Sequence, residues 1–385
     1  MDHLPLAEFR VCVARYRGDY RLQSFSCLDQ LLTLAFAQLT HRESLRDIET
    51  CLGVMQPKLY HMGFRCGTVR RTTLAHANDT RDSRIYQDFA HELIARARTL
   101  YADDDLTHLG LDLGQLTHTV YAFDATTIDL CLTLFPWARF RHSKGAVKLH
   151  TQLELRGNIP SVLHLTEGAV HEVNLLDHLA FEPGATYVVD RAYIDFARLY
   201  AITQAGAFFV VRAKDNLRQR RVYSHAVDRT TGLRSDQTVR LVNYAAAKAY
   251  PAPLRRVRSY DAEQARYLTF LTNAFDLPAL TVAALYKSRW QVELFFKWIK
   301  QHLRIKAFYG TSRNAVETQV WIAISVYVLV AILKKRLALD ASPYRILQIL
   351  DVSLFEKTDL VPLLQRADAA DSFLDATNQL SFNDL

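Results

Sequence analysis

Cysteine is scarce in this chain of 385 residues, which contains five of them. They stand at positions 12, 27, 51, 66 and 131, so the number is odd and no two are spaced as C-x-x-C. This spacing argues against a disulfide framework and a cysteine zinc site, and it favours a reducing compartment. The segment Met1 to Arg10 also lacks the apolar run of a secretory signal. We therefore expect a cytoplasmic protein.

The longest uncharged apolar run that stands out in the sequence is shorter than a membrane span. The stretch Val320 to Leu333 is uncharged, but its fourteen residues fall short of the roughly 18–20 that a span requires. Lys334, Lys335 and Arg336 follow it, which suits the C-terminal end of a helix. The pattern predicts a helix buried in a core and no membrane partner.

Acidic charge is in short supply in one part of the sequence. The chain has 47 Lys plus Arg and 40 Asp plus Glu, a net charge of +7. Between Arg212 and Arg258, here called the basic stretch, twelve basic residues face three acidic ones, a net of +9 that leaves −2 elsewhere. This clustering fits a surface that binds nucleic-acid phosphates, and equally a solvated basic face without a ligand.

The first part of the chain has helical spacing. We expect helices over 26–39, 44–52, 72–77 and 85–100, and we assign 1–116 to a helical N-terminal DNA-binding domain. The helix near Thr72 follows Arg70 and Arg71 and could enter a DNA groove. A helical bundle with a basic loop remains the alternative.

After Thr117 the pattern changes to alternating strands and helices. Strands are expected at 120–123, 147–155, 160–166, 186–189 and 207–211, and helices at 173–179, 194–204 and 281–303. This order predicts an α/β fold with a mixed sheet of the ribonuclease-H type over 117–310. Residues 213–270 form a basic, mainly β insertion in it, and 311–385 form a C-terminal helical region.

Two aspartates follow apolar strands directly. Asp124 comes after Val-Tyr-Ala-Phe and Asp190 after Thr-Tyr-Val-Val. The carboxyl edge of an α/β sheet is where ligands tend to bind, so the two carboxylates are candidates for one site. Either aspartate alone is a weak signal, because a helix cap or turn residue often stands there.

The helix expected at 281–303 carries a third carboxylate among cations. At about 100° per residue, Glu293 shares a sector of about 60° with Tyr286, Arg289 and Lys300. Lys297 falls beside this sector. The arrangement suits phosphate binding around a metal ligand, although an i,i+4 ion-pair ladder between Arg289 and Glu293 is the plain alternative.

Three carboxylates have a clear chemical use. Cleavage of a phosphodiester needs an activated nucleophile and a stabilised leaving oxygen, and two metal ions supply both. Mg²⁺ prefers oxygen ligands, and Mn²⁺ can replace it. We therefore assign Asp124, Asp190 and Glu293 as catalytic metal ligands for two ions. His171 is the one nearby histidine to watch.

At these residues the chain resembles the DDE transposases of insertion sequences, of the insertion-sequence-four type. That family carries Tyr-x2-Arg-x3-Glu-x6-Lys on its last catalytic helix, and Tyr286, Arg289, Glu293 and Lys300 match it in full. Its first two aspartate motifs correspond to Asp124-Ala-Thr and to Asp190-Arg-Ala-Tyr. The resemblance covers nearly the whole chain.

The resemblance implies a ribonuclease-H-like core with an acidic triad that binds Mg²⁺, and a β insertion before the last catalytic helix. It implies cleavage at element ends through a DNA hairpin, by a dimer. Tyr286, Arg289 and Lys300 would contact phosphates near the cut end, and Trp290 could stack on an unpaired base. The remaining expected DNA contacts are Lys297, Arg218, Arg220 and Arg221.

Two positions depart from the family pattern, which usually has Ser in place of Ala125 and Gly in place of Ala192. If the turn after Asp190 needs a left-handed backbone, Ala192 would strain it. The predicted function is transposition, with the element's terminal inverted repeats and target DNA as partners. A catalytically inactive DNA-binding derivative, or a nuclease of the same fold without strand transfer, is the alternative.

Overall fold

The structure is a computed structural model, described over residues 4–106, 118–141, 144–302, 308–356 and 362–364. The chain forms two compact units. A helical unit comprises 1–101, 133–137 and 297–385, and a sheet unit comprises 102–132 and 138–296.

The elements follow one another in three groups. Five helices come first: α1 (Leu6–Arg15), α2 (Cys27–Leu39), α3 (Leu45–Val54), α4 (Arg71–Thr80) and α5 (Arg84–Tyr101). Strands and short helices follow: β1 (Val120–Leu130), β2 (Arg139–Arg141), β3 (Lys144–Glu154), β4 (Ile159–Glu167), β5 (Thr186–Val189), α6 (Phe196–Gln204), β6 (Phe208–Arg212), β7 (Gln219–His225), β8 (Leu233–Leu241), α7 (Tyr244–Ala249), β9 (Leu254–Asp261) and β10 (Arg266–Thr272). The last group is α8 (Ala279–Ser288), α9 (Trp290–His302), α10 (Arg313–Arg336) and α11 (Pro343–Ser353).

The helical unit is built from capped helices around a buried centre. Ser26 and Asp29 form a capping box at the start of α2, and Ser44 caps α3. Helix α10 packs against α5, where the Tyr101 hydroxyl donates to the Ala331 carbonyl at 2.8 Å. Among the described helices, α10 alone is long and apolar enough to cross a membrane, and 83% of its apolar window is buried inside the protein. This is the burial predicted for 320–333.

The sheet unit contains one ten-stranded mixed sheet. Its order is β2-β3-β1-β5-β6-β10-β9-β8-β7, and β4 pairs with β3. Within β4-β3-β1-β5-β6, the first three strands are antiparallel, and β5 and β6 run parallel to β1. That is the ribonuclease-H-like arrangement predicted from the sequence. Strands β7, β8 and β9 and helix α7 belong to the insertion, and β7 forms an edge of the sheet.

The structure corrects two sequence expectations near the site. Strand β1 does not end at Asp124 but continues to Leu130, because its later residues stay paired with β3. The single helix expected over 281–303 is two helices, α8 and α9, that meet at Arg289. The Arg289 amide donates to the Tyr286 carbonyl, and its own carbonyl accepts from Val292, so bonds between residues three apart tighten this turn.

Candidate active site

Two neighbouring strands bring the first two carboxylates together. Strands β1 and β5 are parallel, and Phe123 lies opposite Val189. Asp124 and Asp190 are the next residues on each strand, so they occupy equivalent positions. β5 ends there, and Asp190 precedes a short 3-10 helix, Arg191–Tyr193. Asp190 thus lies at the strand end as expected, whereas Asp124 lies inside its strand.

Asp124 is a largely buried carboxyl. Its pKa is raised to about 6, mainly by burial and to a lesser extent by the nearby charges of Asp190 and Glu172. The Ala125 amide, which donates to Asp124 Oδ1 at 2.8 Å, and the Arg289 guanidinium both oppose this rise. A second positive charge at this position would stabilise the carboxylate form.

Arg289 forms ion pairs with both Asp124 and Glu293. Its Nη1 lies 2.9 Å from Asp124 Oδ2, and its Nη2 lies 2.6 Å from Glu293 Oε1. The Arg289 side chain is 16% exposed, and its Nε has no hydrogen-bond partner among the described residues. The i,i+4 pair foreseen with Glu293 is therefore present, together with a second contact that reaches β1.

Tyr286 forms a hydrogen bond with the third carboxylate, Asp190. Its hydroxyl donates to Asp190 Oδ1 at 3.0 Å, and its ring packs on Phe270 at 4.9 Å between ring centroids. Burial raises the pKa of this phenol to about 12, so it stays a neutral donor. Tyr286 and Arg289 thus connect all three carboxylates to the α8–α9 junction.

The chemistry of this donor set suits a hard divalent cation, because all three groups are carboxylates. In the described part of the chain, however, no three Asp, Glu, His or Cys side chains lie close enough to hold one ion. The Arg289 guanidinium lies between Asp124 and Glu293. The donor chemistry of the three residues therefore fits a divalent cation, whereas their arrangement here has an arginine between two of them.

The other predicted residues on α9 follow in sequence. Trp290 begins the helix and is 51% exposed. Lys297 is exposed and Lys300 is partly exposed, one and two helical turns beyond Glu293. They share the helix of Glu293, as the spacing predicted.

The predicted arginines of the insertion lie on or beside an edge strand. Arg218 precedes β7, whereas Arg220 and Arg221 lie on it. All three are exposed, and no carboxylate pairs with them within the described residues. Arg255, by contrast, is a buried arginine of the basic stretch whose Nη2 lies 2.7 Å from Asp236 Oδ2.

Sequence reasoning missed Glu172, whose charge acts on Asp124, and the lysine that pairs with Glu172. Glu172 begins a 3-10 helix, Glu172–His178, and adds to the negative charge around Asp124. The Lys148 ammonium, on β3 and 11% exposed, lies 3.5 Å from Glu172. A lysine in an otherwise buried strand was the available signal. His171 is exposed, and its carbonyl accepts a hydrogen bond from the Asn174 amide at 3.1 Å.

Comparison with known proteins assigns the chain to a family. The Transposase DDE domain family matches residues 115–329, more than half of the chain. A domain of unknown function, DUF4372, matches 1–65.

Individual relatives agree with this match. A Sinorhizobium fredii protein named as transposase y4zB is 36% identical over 247 residues, 62% of this chain and 68% of that protein. A Geobacillus stearothermophilus protein named as a transposase for the element IS5377 is 30% identical, over 54% of each chain. A Synechocystis protein named as a transposase for IS4SA is 21% identical, over 85% of this chain and 89% of its own.

Among solved structures, the piggyBac transposase in a synaptic complex with hairpin DNA has a TM-score of 0.48 at 11% identity, covering 95% of this chain and 78% of that one. The family match and the sheet order agree with the resemblance carried by the helix signature. The chain belongs to the DDE transposases of insertion sequences, enzymes that cut and join DNA with the help of divalent metal.

Proposed function

We propose that Asp124, Asp190 and Glu293 are the catalytic residues and hold two divalent ions, Mg²⁺ or its substitute Mn²⁺. The observation that carries this is the linkage of all three carboxylates through Tyr286 and Arg289. When bound, the ions supply Lewis-acid stabilisation of the reacting phosphate and an activated nucleophile. The reactions are phosphodiester hydrolysis and transesterification.

In the structure Arg289 pairs with two of the three carboxylates, Asp124 and Glu293. With divalent ions held by Asp124, Asp190 and Glu293, the Arg289 guanidinium would be free to bind a phosphate of the cut DNA end. Tyr286, released from Asp190, can donate to the same end. Lys297 and Lys300 extend the positive charge along α9 toward further phosphates, and the exposed Trp290 offers a ring for an unpaired base.

The insertion supplies the remaining DNA contact in this proposal. Arg218, Arg220 and Arg221 are exposed and unpaired within the described residues, so they can neutralise phosphates without first giving up a carboxylate partner. The substrates are the terminal inverted repeats of the element and a target DNA. The protein acts in the cytoplasm, at the nucleoid when bound to DNA, and as a homodimer in the DNA complex.

A plasmid that carries the element tests the proposal. Purified protein with Mg²⁺ or Mn²⁺ should cut at the element ends and join them to target DNA, whereas Ca²⁺ should permit assembly with little chemistry. A gel that separates cut ends from joined strands distinguishes transposition from nuclease activity alone. DNA binding without any cutting would indicate an inactive derivative, and full activity in excess EDTA would exclude the metal mechanism.

A further inference from the structure

The loop between α1 and α2, residues 16–26, carries an exposed cluster of one tyrosine and two arginines. Tyr20 is 56% exposed. The Arg17 guanidinium lies 4.5 Å and that of Arg21 5.1 Å from the centre of its ring. Cation–π contacts of this kind hold guanidinium groups in place while their N–H donors remain available.

These two arginines have no carboxylate partner in the described part of the chain. The acids nearby are already engaged: Asp19 accepts from the Cys27 amide, Asp82 from Arg84, and Asp88 from Arg15 and Tyr16. The charge of Arg17 and Arg21 is therefore directed to solvent. A ligand with negative charge would be the first to neutralise it.

The loop is built to hold this geometry. Arg17 and Arg21 both have left-handed backbones, with φ of 53° and 57°, which side-chain-bearing residues rarely adopt. Gly18 between them donates to the Val13 carbonyl at 2.9 Å, and a Cβ there would lie 2.5 Å from the Ile85 side chain. Strained backbone that is fixed by close packing points to a functional role for what it presents.

Two grooves flank Tyr20. One, of about 280 Å³, is lined by three arginines and Tyr20, and its one acidic lining residue is Asp19, which accepts from the Cys27 amide; the arginines are Arg10, Arg17 and Arg65. The other, of about 480 Å³, runs between the loop and α4, which contributes Thr73, His76 and Thr80. Arg10 and Arg65 are also exposed and lack a carboxylate partner within the described residues. Arg17 and Arg21 thus lie against the Tyr20 ring and Arg10 and Arg65 line the groove beside it, and among the described residues no carboxylate pairs with any of the four.

We propose that this surface, defined by Arg10, Arg17, Tyr20, Arg21 and Arg65, binds the phosphate backbone of duplex DNA. Arg17 and Arg21 donate to the phosphates, and the polar face of α4 lines the groove beside them. It places the DNA contact expected of the helical N-terminal region on the loop between α1 and α2, within the residues that match a domain of unknown function. It rests on the proposed function only in that the ligand is DNA.

The position differs from the one suggested by sequence spacing. Arg70 and Arg71, which precede or begin α4, both lie 3.9 Å from Glu49, so their charge is partly compensated. Arg17 and Arg21 have no such acid among the described residues. The loop, rather than the start of α4, therefore presents the uncompensated charge of this region.

Fluorescence anisotropy without metal, on a mixed-sequence blunt duplex, tests the proposal. The double variant R17N/R21N removes both charges with a residue that tolerates a left-handed backbone. It should weaken binding and reduce the slope of log affinity against log salt by about 0.9 for each phosphate that is no longer neutralised. The control R46Q/R336Q removes the same charge from exposed arginines of the same unit that line neither groove, and it should keep the slope.

A slope in R17N/R21N equal to that of R46Q/R336Q would overturn the proposal. If R17N/R21N melts at a lower temperature than the wild type, the proposal is tested with variants of Tyr20 instead. Y20F retains the ring that holds both guanidiniums and should bind normally, whereas Y20A should show a flatter salt slope. Equal salt slopes for Y20F and Y20A would also overturn the proposal. This experiment measures binding and not cleavage, so it does not depend on the metal-site assignment. A failure of that assignment would appear separately, as cleavage retained by D124A.

Discussion

The arginines of the sheet unit fall into two kinds. Arg289, at the α8–α9 junction, has two carboxylate partners, Asp124 and Glu293, and is largely buried. Arg220 and Arg221, on the edge strand β7, are exposed and have no carboxylate partner in the described residues. Both kinds lie in one unit of a DNA transposase. Only the exposed arginines of β7 can bind a phosphate without first losing a carboxylate partner.

The difference suggests a division of labour. The charge on β7 is available from the first encounter, so it should govern the affinity of initial binding and its dependence on salt. In the proposed mechanism, the charge of Arg289 becomes available to DNA only when other cations neutralise Asp124 and Glu293. It should therefore affect the chemical step and the complex with cut ends. Substitutions in the two regions can separate these roles.

The largest effect should follow loss of a carboxylate. D124A, D190A and E293A should each reduce cleavage by about four orders of magnitude, the size of loss seen when one member of a catalytic unit is removed. Binding of the uncut element end should persist, because no phosphate contact is removed. Quantitative gels of cleavage and gel-shift assays measure the two. D129A, an exposed aspartate on the same strand β1, is the control and should cleave normally; near-normal cleavage by any of the three would refute the assignment.

A smaller effect is expected when Arg289 becomes lysine. R289K retains the charge but removes the planar fork that contacts Asp124 and Glu293 at once. We expect cleavage to fall by about 10- to 100-fold, the range that follows misplacement of a positioning group, with little change in first binding. K287A removes an exposed cation two residues away that pairs with Glu263 and should cleave as the wild type does. Full activity in R289K would mean that Arg289 acts as a simple point charge.

Loss of the β7 charge should be milder still. R218Q/R220Q/R221Q should weaken binding and flatten the salt slope by about 0.9 for each duplex phosphate that is left without its arginine. Stability should change little, because exposed charges contribute little to it.

The control for this variant lies in the same basic stretch. R255Q breaks a buried pair with Asp236 and should lower the free energy of unfolding by about 3 kcal/mol or more, while the slope stays unchanged. Urea melts and anisotropy titrations measure both quantities. An unchanged slope in a well-folded triple variant would mean that the DNA lies elsewhere.

Much of the fold could be read from local patterns. The short apolar strand before Asp190, the serine caps of α2 and α3, and the buried run in α10 are each encoded within a few residues. Strand β1 was predicted too short because polar Thr126 and Thr127 follow Asp124, and only pairing with β3 keeps them in the sheet.

Partnerships between distant residues were harder to foresee. The charge count included Arg255 among the exposed cations of the basic stretch. Its guanidinium is in fact buried, where it pairs with Asp236 and donates to the Ala274 carbonyl before α8. Spacing placed Arg289 beside Glu293 but could not show that Asp124, 165 residues away, would be its second partner. Glu172 escaped notice for the same reason, since its relation to Asp124 exists only in three dimensions.

The smallest effect concerns Ala192, which stands where the family pattern that the chain resembles has glycine. Ala192 lies in the 3-10 turn Arg191–Tyr193 and is not among the residues with positive φ, so its backbone is not strained here. A192G should therefore relieve nothing. It should lower stability by up to about 1 kcal/mol through added freedom in the unfolded chain and leave cleavage within about twofold of wild type. Thermal melts and cleavage rates measure these, with A201G in α6 as a control for glycine in a regular helix. A clear gain in cleavage by A192G would show instead that the turn becomes left-handed when DNA binds, and that this copy of the transposase is held back by one methyl group beside Asp190.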